Sequence, residues 1–222
     1  MIARLDPADP ESAERFILEN TKPIVPPLVP EITLRLAEES LPIWQKTEEE
    51  LGELNVPPPF WAFAWAGGQA VSRYLLDHPE ICRGRNVLDI GAGSGLSAIA
   101  AAKTGAVHVL AADIDALAIA ASAMNAKANG VSIETTGADL LGGEPLAASV
   151  IIVGDLFYER QLATRVTQYI DRAKELGCRV YIGDPRRSYF PQDRFTPLAE
   201  YQVPVTRELE DYDIKRTTVW GG

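Results

Sequence analysis

After Phe60, apolar runs rich in β-branched residues alternate with alanine-rich runs. Unbroken apolar runs such as Val150–Asp155 are typical of strands that are buried on both faces of a sheet. The alternation predicts an α/β fold in which a mostly parallel sheet carries helices on both faces. The seven predicted strands are Asn86–Ile90, His108–Ala112, Val131–Thr135, Val150–Asp155, Cys178–Gly183, Tyr201–Glu208 and Ile214–Trp220.

Runs with helical spacing lie between these strands. The predicted helices are Gly68–Leu76, Ser94–Lys103, Ala116–Asn129, Arg160–Leu176 and Pro191–Leu198. No full helix separates the last two predicted strands, so we expect them to form an antiparallel hairpin at one edge of the sheet.

The first sixty residues differ in composition from the rest of the chain. They hold ten of the 16 prolines, together with twelve acidic and five basic side chains. Because proline fixes φ and removes a hydrogen-bond donor, this pattern predicts short helices joined by rigid turns. We expect helices at Glu11–Asn20 and Glu31–Glu39, followed by an extended arm at Pro57–Pro59. The sequence thus divides into an N-terminal extension, residues 1–56, and an α/β domain, residues 57–222.

The 222 residues carry a formal net charge of −10. A field of this sign repels nucleic acid phosphates and favours basic partners, so we expect no binding to nucleic acid. The two cysteines lie far apart and the chain has only two histidines, which predicts neither a disulfide framework nor a metal site. No apolar run approaches the ~20 residues needed to span a bilayer, and the first residues do not resemble a secretory signal. We therefore expect a cytoplasmic protein that does not bind membranes.

A glycine-rich turn follows the strand Asn86–Ile90 and precedes an alanine-rich run. Its glycines, Gly91, Gly93 and Gly95, would let the chain turn sharply and a ligand approach the main chain closely. The spacing is G-x-G-x-G rather than the G-x-G-x-x-G of dinucleotide sites. The carboxylate of Asp89 would repel a pyrophosphate but attract a ligand that carries an ammonium and a sulfonium. S-adenosylmethionine (SAM) is such a ligand, although a glycine turn taken alone is equally compatible with a structural turn.

Acidic residues also follow the next two predicted strands. Asp113 lies 18 residues beyond Gly95, close to the ~20-residue spacing of an acid that binds a ribose diol. Asp139 could accept a hydrogen bond from an adenine amine, and the adjacent Leu140 could pack on the ring. We interpret Asp115 instead as the N-cap of the helix that begins at residue 116.

Four segments outside the glycine turn carry a closer resemblance to a known family. They are PFWAFAWAGGQA at Pro59–Ala70, GDLFYE at Gly154–Glu159, IGDP at Ile182–Pro185 and TTVWG at Thr217–Gly221. The glycine turn and its acids resemble the class I, seven-stranded SAM-dependent methyltransferases. The four segments resemble the electron-transfer flavoprotein β-subunit lysine methyltransferases, here a bacterial member.

The resemblance implies a Rossmann-like seven-stranded sheet and SAM as methyl donor, with S-adenosylhomocysteine (SAH) as product. It also implies a protein-lysine N-methyltransferase whose acceptor is a folded protein, the β subunit of the electron-transfer flavoprotein. The same resemblance places Trp65 against the cofactor, with Gly68 and Gln69 beside it, whereas Trp61 could equally pack in the core. We also expect the protein to act as a monomer.

The acceptor site is predicted at the end of the fourth strand, where ligands bind in open α/β sheets. Asp155 would orient the lysine ammonium, and Phe157 and Tyr158 would hold it by cation–π attraction of about 0.5–2 kcal/mol each. The proton would leave to water, because a carboxylate raises the pKa of a neighbouring ammonium. The alternatives are a helix N-cap for Asp155 and a core position for Phe157. After the fifth strand, Asp184 and Arg187 could border the substrate channel or form a surface salt bridge.

Other functions stay open at this point. The same chemistry could act on a ribosomal protein or a small-molecule amine. A nicotinamide-dependent oxidoreductase is disfavoured by the G-x-G-x-G spacing. A non-catalytic SAM-binding module is disfavoured by the intact sequence DLFY at Asp155–Tyr158.

Overall fold

The computed structural model describes residues 9–37, 58–205 and 214–222. Within these ranges the chain forms five α-helices and nine β-strands. The helices are α1 (Pro10–Asn20), α2 (Ala66–Asp77), α3 (Leu96–Lys103), α4 (Ala116–Ala128) and α5 (Arg160–Glu175). The strands are β1 (Lys22–Ile24), β2 (Leu34–Leu36), β3 (Asn86–Ile90), β4 (His108–Ala112), β5 (Glu134–Thr136), β6 (Val150–Gly154), β7 (Arg179–Asp184), β8 (Thr196–Pro204) and β9 (Ile214–Gly221).

Seven strands form one sheet in the order β5-β4-β3-β6-β7-β9-β8. Strands β3 to β7 are parallel, and β9 is antiparallel to both of its neighbours. The predicted α/β class, with a mostly parallel sheet and an antiparallel edge hairpin, is confirmed. Strand order reverses between β4 and β6, on either side of β3, and this is the place where open α/β sheets form a ligand crevice.

The buried strands match the predictions most closely. β3 and β4 have the predicted bounds, and the first four residues of β6 are completely buried. Their side chains separate two clusters, one packed against α2 and α3 and the other against α5. The continuous apolar pattern of these strands therefore reflects burial on both faces of the sheet.

The predicted helix Pro191–Leu198 is wrong. A short 3₁₀ turn, Gln192–Arg194, leads instead into β8, which begins five residues before the predicted strand Tyr201–Glu208. Pro197 disfavours a helix, and the free edge of β9 provides hydrogen-bonding partners for a strand. Residues 206–208 of that predicted strand lie outside the described ranges.

The predicted helix Glu31–Glu39 is also wrong where it is described. Leu34–Leu36 forms β2, which pairs antiparallel with β1. Leu34 and Leu36 are buried while Arg35 between them is not. This alternation of buried and less buried side chains is that of a strand, not of a helix. The first predicted helix, Glu11–Asn20, is confirmed as α1, and Asp9 caps it by accepting hydrogen bonds from the N–H groups of Glu11 and Ser12. The remaining predicted feature, the arm Pro57–Pro59, lies partly outside the described residues.

The described part of the N-terminal extension packs against the α/β sheet region. Ala13 and Ile17 of α1 share a buried cluster with Trp61 and with Leu117 of α4. Residues of β2 share another cluster with Ile99 of α3. Across the described ranges, no helix is long and apolar enough to cross a membrane.

Candidate active site

The glycine turn between β3 and α3 requires glycine at three positions. Gly91, Gly93 and Gly95 have φ angles of 69°, 53° and 82°. Residues that carry a Cβ rarely adopt such angles. Two side chains of α4 hold the turn: Ser122 Oγ donates to the carbonyl of Gly93 (3.0 Å), and Asn125 Nδ2 donates to that of Ser94 (2.9 Å). Sequence reasoning missed Ser122 and Asn125, and the available signal was two polar residues three apart within an alanine-rich helix.

Asp89 lies at the base of this turn. Its side chain is buried, and one oxygen accepts a hydrogen bond from the N–H of Ala98 at 2.9 Å. Burial raises the pKa of Asp89 to about 7. A cationic ligand beside Asp89 would favour the ionised form again, because an opposite charge lowers the pKa of a carboxyl.

An open cleft of about 380 Å³ lies above the turn. The cleft brings together six of the predicted site residues, and the full lining is Phe63, Ala64, Trp65, Gly68, Asp89, Gly91, Ala92, Gly93, Ser94, Leu96, Ser97, Gly154 and Asp155. Gly68 leaves this wall open, since a Cβ added there would meet no atom within 4 Å.

Asp113 lies at the side of the cleft, and its carboxylate is already hydrogen-bonded to the main chain. It accepts from the N–H groups of Gly93 (2.9 Å) and Asp115 (3.0 Å), and burial raises its pKa. Asp113 therefore links the tip of β4 to the glycine turn. Asp115 caps α4 by accepting from the N–H of Leu117, as predicted.

Asp139 and Leu140 are not among the residues that line the cleft. Asp139 is exposed and forms an ion pair with Arg165 at 2.6 Å, which lowers the pKa of its carboxyl. It also accepts a hydrogen bond from the N–H of Leu141. Leu140 is half-buried and packs against the cluster beneath α5.

Trp65 lines the cleft, whereas Gln69 does not. The indole of Trp65 donates to the carbonyl of Phe60 at 2.8 Å. Gln69 is buried, its Nε2 donates to the carbonyl of Ala64, and its Oε1 accepts from the N–H of Leu28. These contacts tie the start of α2 to the N-terminal extension. Trp61 is buried in the core against α4.

Asp155 follows β6 and has a left-handed backbone, with φ of 59°. Its Oδ2 accepts from the N–H of Gly68 in the first turn of α2 at 2.9 Å. Its Oδ1 accepts from Nε (3.0 Å) and Nη2 (2.7 Å) of Arg187. The N-cap of α5 is Glu159, so the alternative interpretation of Asp155 as that cap is wrong. A left-handed aspartate that is held by three hydrogen bonds is typical of a functional position.

Three neighbouring aromatic rings, Tyr158, Phe60 and Trp65, extend outward from Trp65 in the cleft wall, and we call them the aromatic mouth. Tyr158 is 47% exposed, and its ring centroid lies 5.7 Å from that of Phe60, which in turn lies 6.0 Å from Trp65. Partial burial raises the pKa of Tyr158. Phe157 is completely buried and packs edge-on against Phe190, so it lies in the core rather than at the mouth. Sequence reasoning missed Phe60.

Asp184 and Arg187 lie on the same side of the cleft. Asp184 is completely buried, and its Oδ1 accepts from the main-chain N–H of Arg187 at 2.7 Å. Burial, and secondarily the charge of Asp155, raise the pKa of Asp184 to about 7. The Arg187 guanidinium pairs with Asp155 and lies 5.6 Å from the centre of the Trp65 ring. The alternative of a surface salt bridge between Asp184 and Arg187 is therefore wrong, because Asp184 is buried and the guanidinium pairs with Asp155 instead.

Similarity to known proteins agrees with this geometry. The chain is 39% identical over 213 residues to the electron transfer flavoprotein beta subunit lysine methyltransferase of Xenopus laevis, covering 92% of this chain and 85% of that protein. The chain belongs to this family. The family resemblance that the sequence segments carried is therefore confirmed.

The chain also resembles other methyltransferases. Residues 71–156 match the family described as Ribosomal protein L11 methyltransferase (PrmA). The ribosomal protein L11 methylase of Lactobacillus delbrueckii subsp. bulgaricus superposes with a TM-score of 0.51 at 22% identity, over 70% of this chain and 76% of that one. Magnesium protoporphyrin IX methyltransferase (ChlM) from Synechocystis PCC 6803, solved with bound SAM, superposes with a TM-score of 0.51 at 19% identity. The superposition covers 69% of this chain and 78% of that one. These likenesses show the methyltransferase fold.

Proposed function

We propose that this protein transfers methyl groups from SAM to lysine side chains of a folded protein, the β subunit of the electron-transfer flavoprotein. One observation carries the proposal: a cleft that begins at a buried carboxylate, Asp89, and ends at a carboxylate with aromatic walls, Asp155. The names of the relatives, at 36–39% identity over most of the chain, support the acceptor.

The residues of the cleft fit SAM. Gly91 and Gly93 line the cleft without a side chain of their own, and Asp89 offers a carboxylate to an ammonium group. Asp113 stands beside the turn as the acceptor for a ribose, and Asp139 with Leu140 lies farther along the same edge of the sheet. Bound SAM supplies an electrophilic methyl group on its sulfonium. The protein itself supplies binding and orientation.

The acceptor lysine enters at the aromatic mouth. The faces of Tyr158, Phe60 and Trp65 would hold a cationic side chain by cation–π attraction, worth about 0.5–2 kcal/mol each. Asp155 accepts a hydrogen bond from the amine and so aims its lone pair into the cleft. The ammonium proton passes to water. Asp155 does not bind it strongly, because the positive charge of Arg187 favours the ionised carboxylate. Phe157 supports this site from the core.

A ribosomal protein is the second candidate acceptor, because residues 71–156 match the L11 methyltransferase family. That match spans the structure from α2 through β6, which is the cofactor-binding part. The aromatic mouth and the Asp184–Arg187 turn lie outside it, whereas the match to the Xenopus laevis flavoprotein methyltransferase covers 92% of the chain. We therefore favour the flavoprotein.

Mass spectrometry of intact proteins tests the proposal. The purified enzyme is incubated with SAM and either flavoprotein β subunit or ribosomal protein L11, and the D155N variant serves as control. We expect mass increases of whole methyl groups on the β subunit alone, at lysine, and none with D155N. Labelling of L11 but not of the β subunit would overturn the acceptor. The monomeric state, the cytoplasmic location, the lack of nucleic acid binding and the division at residues 56 and 57 stay predictions.

A thermal shift measurement separates this function from the other classes. SAH should raise the melting temperature of the protein by mass action, and NAD should leave it unchanged. A shift with NAD alone would point to an oxidoreductase. A shift with SAH, combined with no transfer to any protein of an extract, would point to a non-catalytic module.

A further inference from the structure

The carboxylate that should receive the substrate amine, Asp155, already forms an ion pair with a cationic side chain of the protein, Arg187. Two nitrogens of Arg187 donate to one oxygen of Asp155, at 3.0 and 2.7 Å. The two side chains are 18% and 9% exposed, so this ion pair lies mostly out of water. Ion pairs in such surroundings are screened much less than those at an open surface.

The position of Arg187 is fixed from two further sides. Its main-chain N–H donates to the buried carboxyl of Asp184 at 2.7 Å. Its guanidinium lies 5.6 Å from the centre of the Trp65 ring, within the range of cation–π attraction. Arg187 is therefore held against Asp155 and Trp65, two residues that line the cleft.

Methyl transfer to lysine sets two opposed demands on Asp155. The amine must be oriented by a hydrogen-bond acceptor, yet it must be neutral when its lone pair attacks. A lysine amine has a pKa of about 10.4 in water, and a bare carboxylate alongside would raise this value further. A lone Asp155 would thus bind the substrate well and hold it in the unreactive form.

We propose that Arg187 offsets the charge of Asp155, so that Asp155 orients the substrate amine without holding it as an ammonium. This inference rests on the proposed function. The ammonium gives its proton to water, and the neutral nitrogen then forms the N–C bond as the C–S bond of the sulfonium breaks. Arg187 touches neither reacting atom and acts through Asp155, which makes it a positioning residue.

Among the described residues, the ionisable groups that this site adds to Asp155 and Arg187 are acidic. The first turn of α2 contributes no acidic side chain, only the N–H of Gly68. The charge of Asp155 acts on Asp184 at the end of β7, and Asp89 lines the same cleft as Asp155. Tyr158, on the segment after β6, is close to Glu159, Asp113 and Arg187. Without Arg187, the site would hold an ammonium more tightly.

The test compares R187M and R187Q with the wild-type enzyme on the flavoprotein β subunit. The rise of kcat with pH reports the loss of the ammonium proton in the enzyme–substrate complex. We expect this limb to move up by about one to two pH units, and kcat near neutral pH to fall about tenfold or more. The dissociation constant of the β subunit from the enzyme–SAH complex should stay equal or fall several-fold. A merely structural defect would raise that constant instead.

Two variants serve as controls. R187K keeps the charge, so its pH limb should return to that of the wild type even where the lost second donor lowers kcat. R186M changes the neighbouring arginine, which lies over Trp220, and should leave the profile unchanged.

Each result has one meaning. The role of Arg187 is overturned if the rise of kcat with pH is the same in R187M, R187Q and the wild type, or if both variants bind the β subunit more weakly. The proposed function would still stand in either case. A wild-type enzyme that methylates no β subunit would overturn the proposed function.

Discussion

Gly67 and Gly183 bring the start of α2 against β7 at a distance that only glycine allows. A Cβ on Gly67 would lie 2.1 Å from the carbonyl oxygen of Gly183, and a Cβ on Gly183 would lie 1.9 Å from that of Gly67. This approach lets the N–H of Gly68 reach Asp155, and so it builds the wall of the cleft.

The Gly67→Ala variant should therefore be destabilised. The added methyl group collides with the main chain, which cannot rotate away, and we expect a loss of about 2–3 kcal/mol in the free energy of unfolding. Chemical denaturation of the ligand-free protein measures this loss. Gly68→Ala is the matched control, because its Cβ meets open space, and it should be neutral or gain up to about 1 kcal/mol from helix propensity. Equal stability of the two variants would contradict the close approach.

Binding of SAH should release a proton from Asp89. In the ligand-free protein the pKa of Asp89 is about 7, so at pH 6 the buried carboxyl carries a proton. The ammonium of SAH favours the carboxylate, and the proton must leave as the complex forms. Calorimetry at pH 6 in buffers of different ionisation enthalpy should show close to one proton released. Above pH 8 the release should vanish, since Asp89 is then ionised beforehand.

The Asp89→Asn variant is the control for this assignment. It should release no proton at pH 6 and bind SAH about 10–100-fold more weakly, because a charge-assisted hydrogen bond is lost. Asp115→Asn should bind normally, since asparagine is also a good N-cap. Unchanged proton release in Asp89→Asn would remove Asp89 from the cofactor site.

The Asp155→Asn variant should separate cofactor binding from transfer. Asparagine tolerates the left-handed backbone and can still accept from Gly68, so the fold should persist. We expect SAH affinity within a few-fold of wild type and kcat reduced about 100-fold or more, because the acceptor that orients the lysine is weakened. Calorimetry and methyl incorporation measure the two effects. Full activity would show that Asp155 does not position the lysine.

Asp139 is predicted to contact the adenine of the cofactor, whereas in the structure it forms a surface ion pair with Arg165. If the carboxylate accepts from the adenine amine, Asp139→Ala should weaken SAH binding about tenfold while Arg165→Met leaves it unchanged. We expect this outcome, measured by calorimetry. The same affinity for both variants would show that Asp139 does not contact the adenine.

Asn125 should matter for both stability and cofactor binding. It is completely buried, accepts from the N–H of Arg35 at 2.7 Å and donates to the carbonyl of Ser94. Asn125→Ala would leave both partners unpaired, at a cost of about 1–3 kcal/mol in the free energy of unfolding, and should also loosen the glycine turn. Asn129→Ala, one turn later and less buried, should leave SAH affinity unchanged. An Asn125→Ala variant with normal SAH affinity would show that the turn keeps its shape without Asn125.

Local patterns predicted the central strands, the glycine turn and the cap at Asp115 well. Each of these depends on residues adjacent in the chain: a continuous apolar run, a positive φ, or a carboxylate two residues before the N–H it binds. The two wrong helices, Glu31–Glu39 and Pro191–Leu198, lie where strands pair with distant partners. Their hydrogen bonds to β1 and β9 outweigh a weak local preference for helix.

The sequence by itself determined the succession of glycines and acids at the strand ends, because each of these residues acts first on its own neighbours in the chain. Only the tertiary structure decided how Asp155 is held: Gly68 lies 87 residues away and Arg187 lies 32 residues away. It likewise placed Phe157 in the core and Phe60 at the mouth. Such contacts arise when helices and strands pack, and packing joins residues by shape and burial rather than by their spacing along the chain.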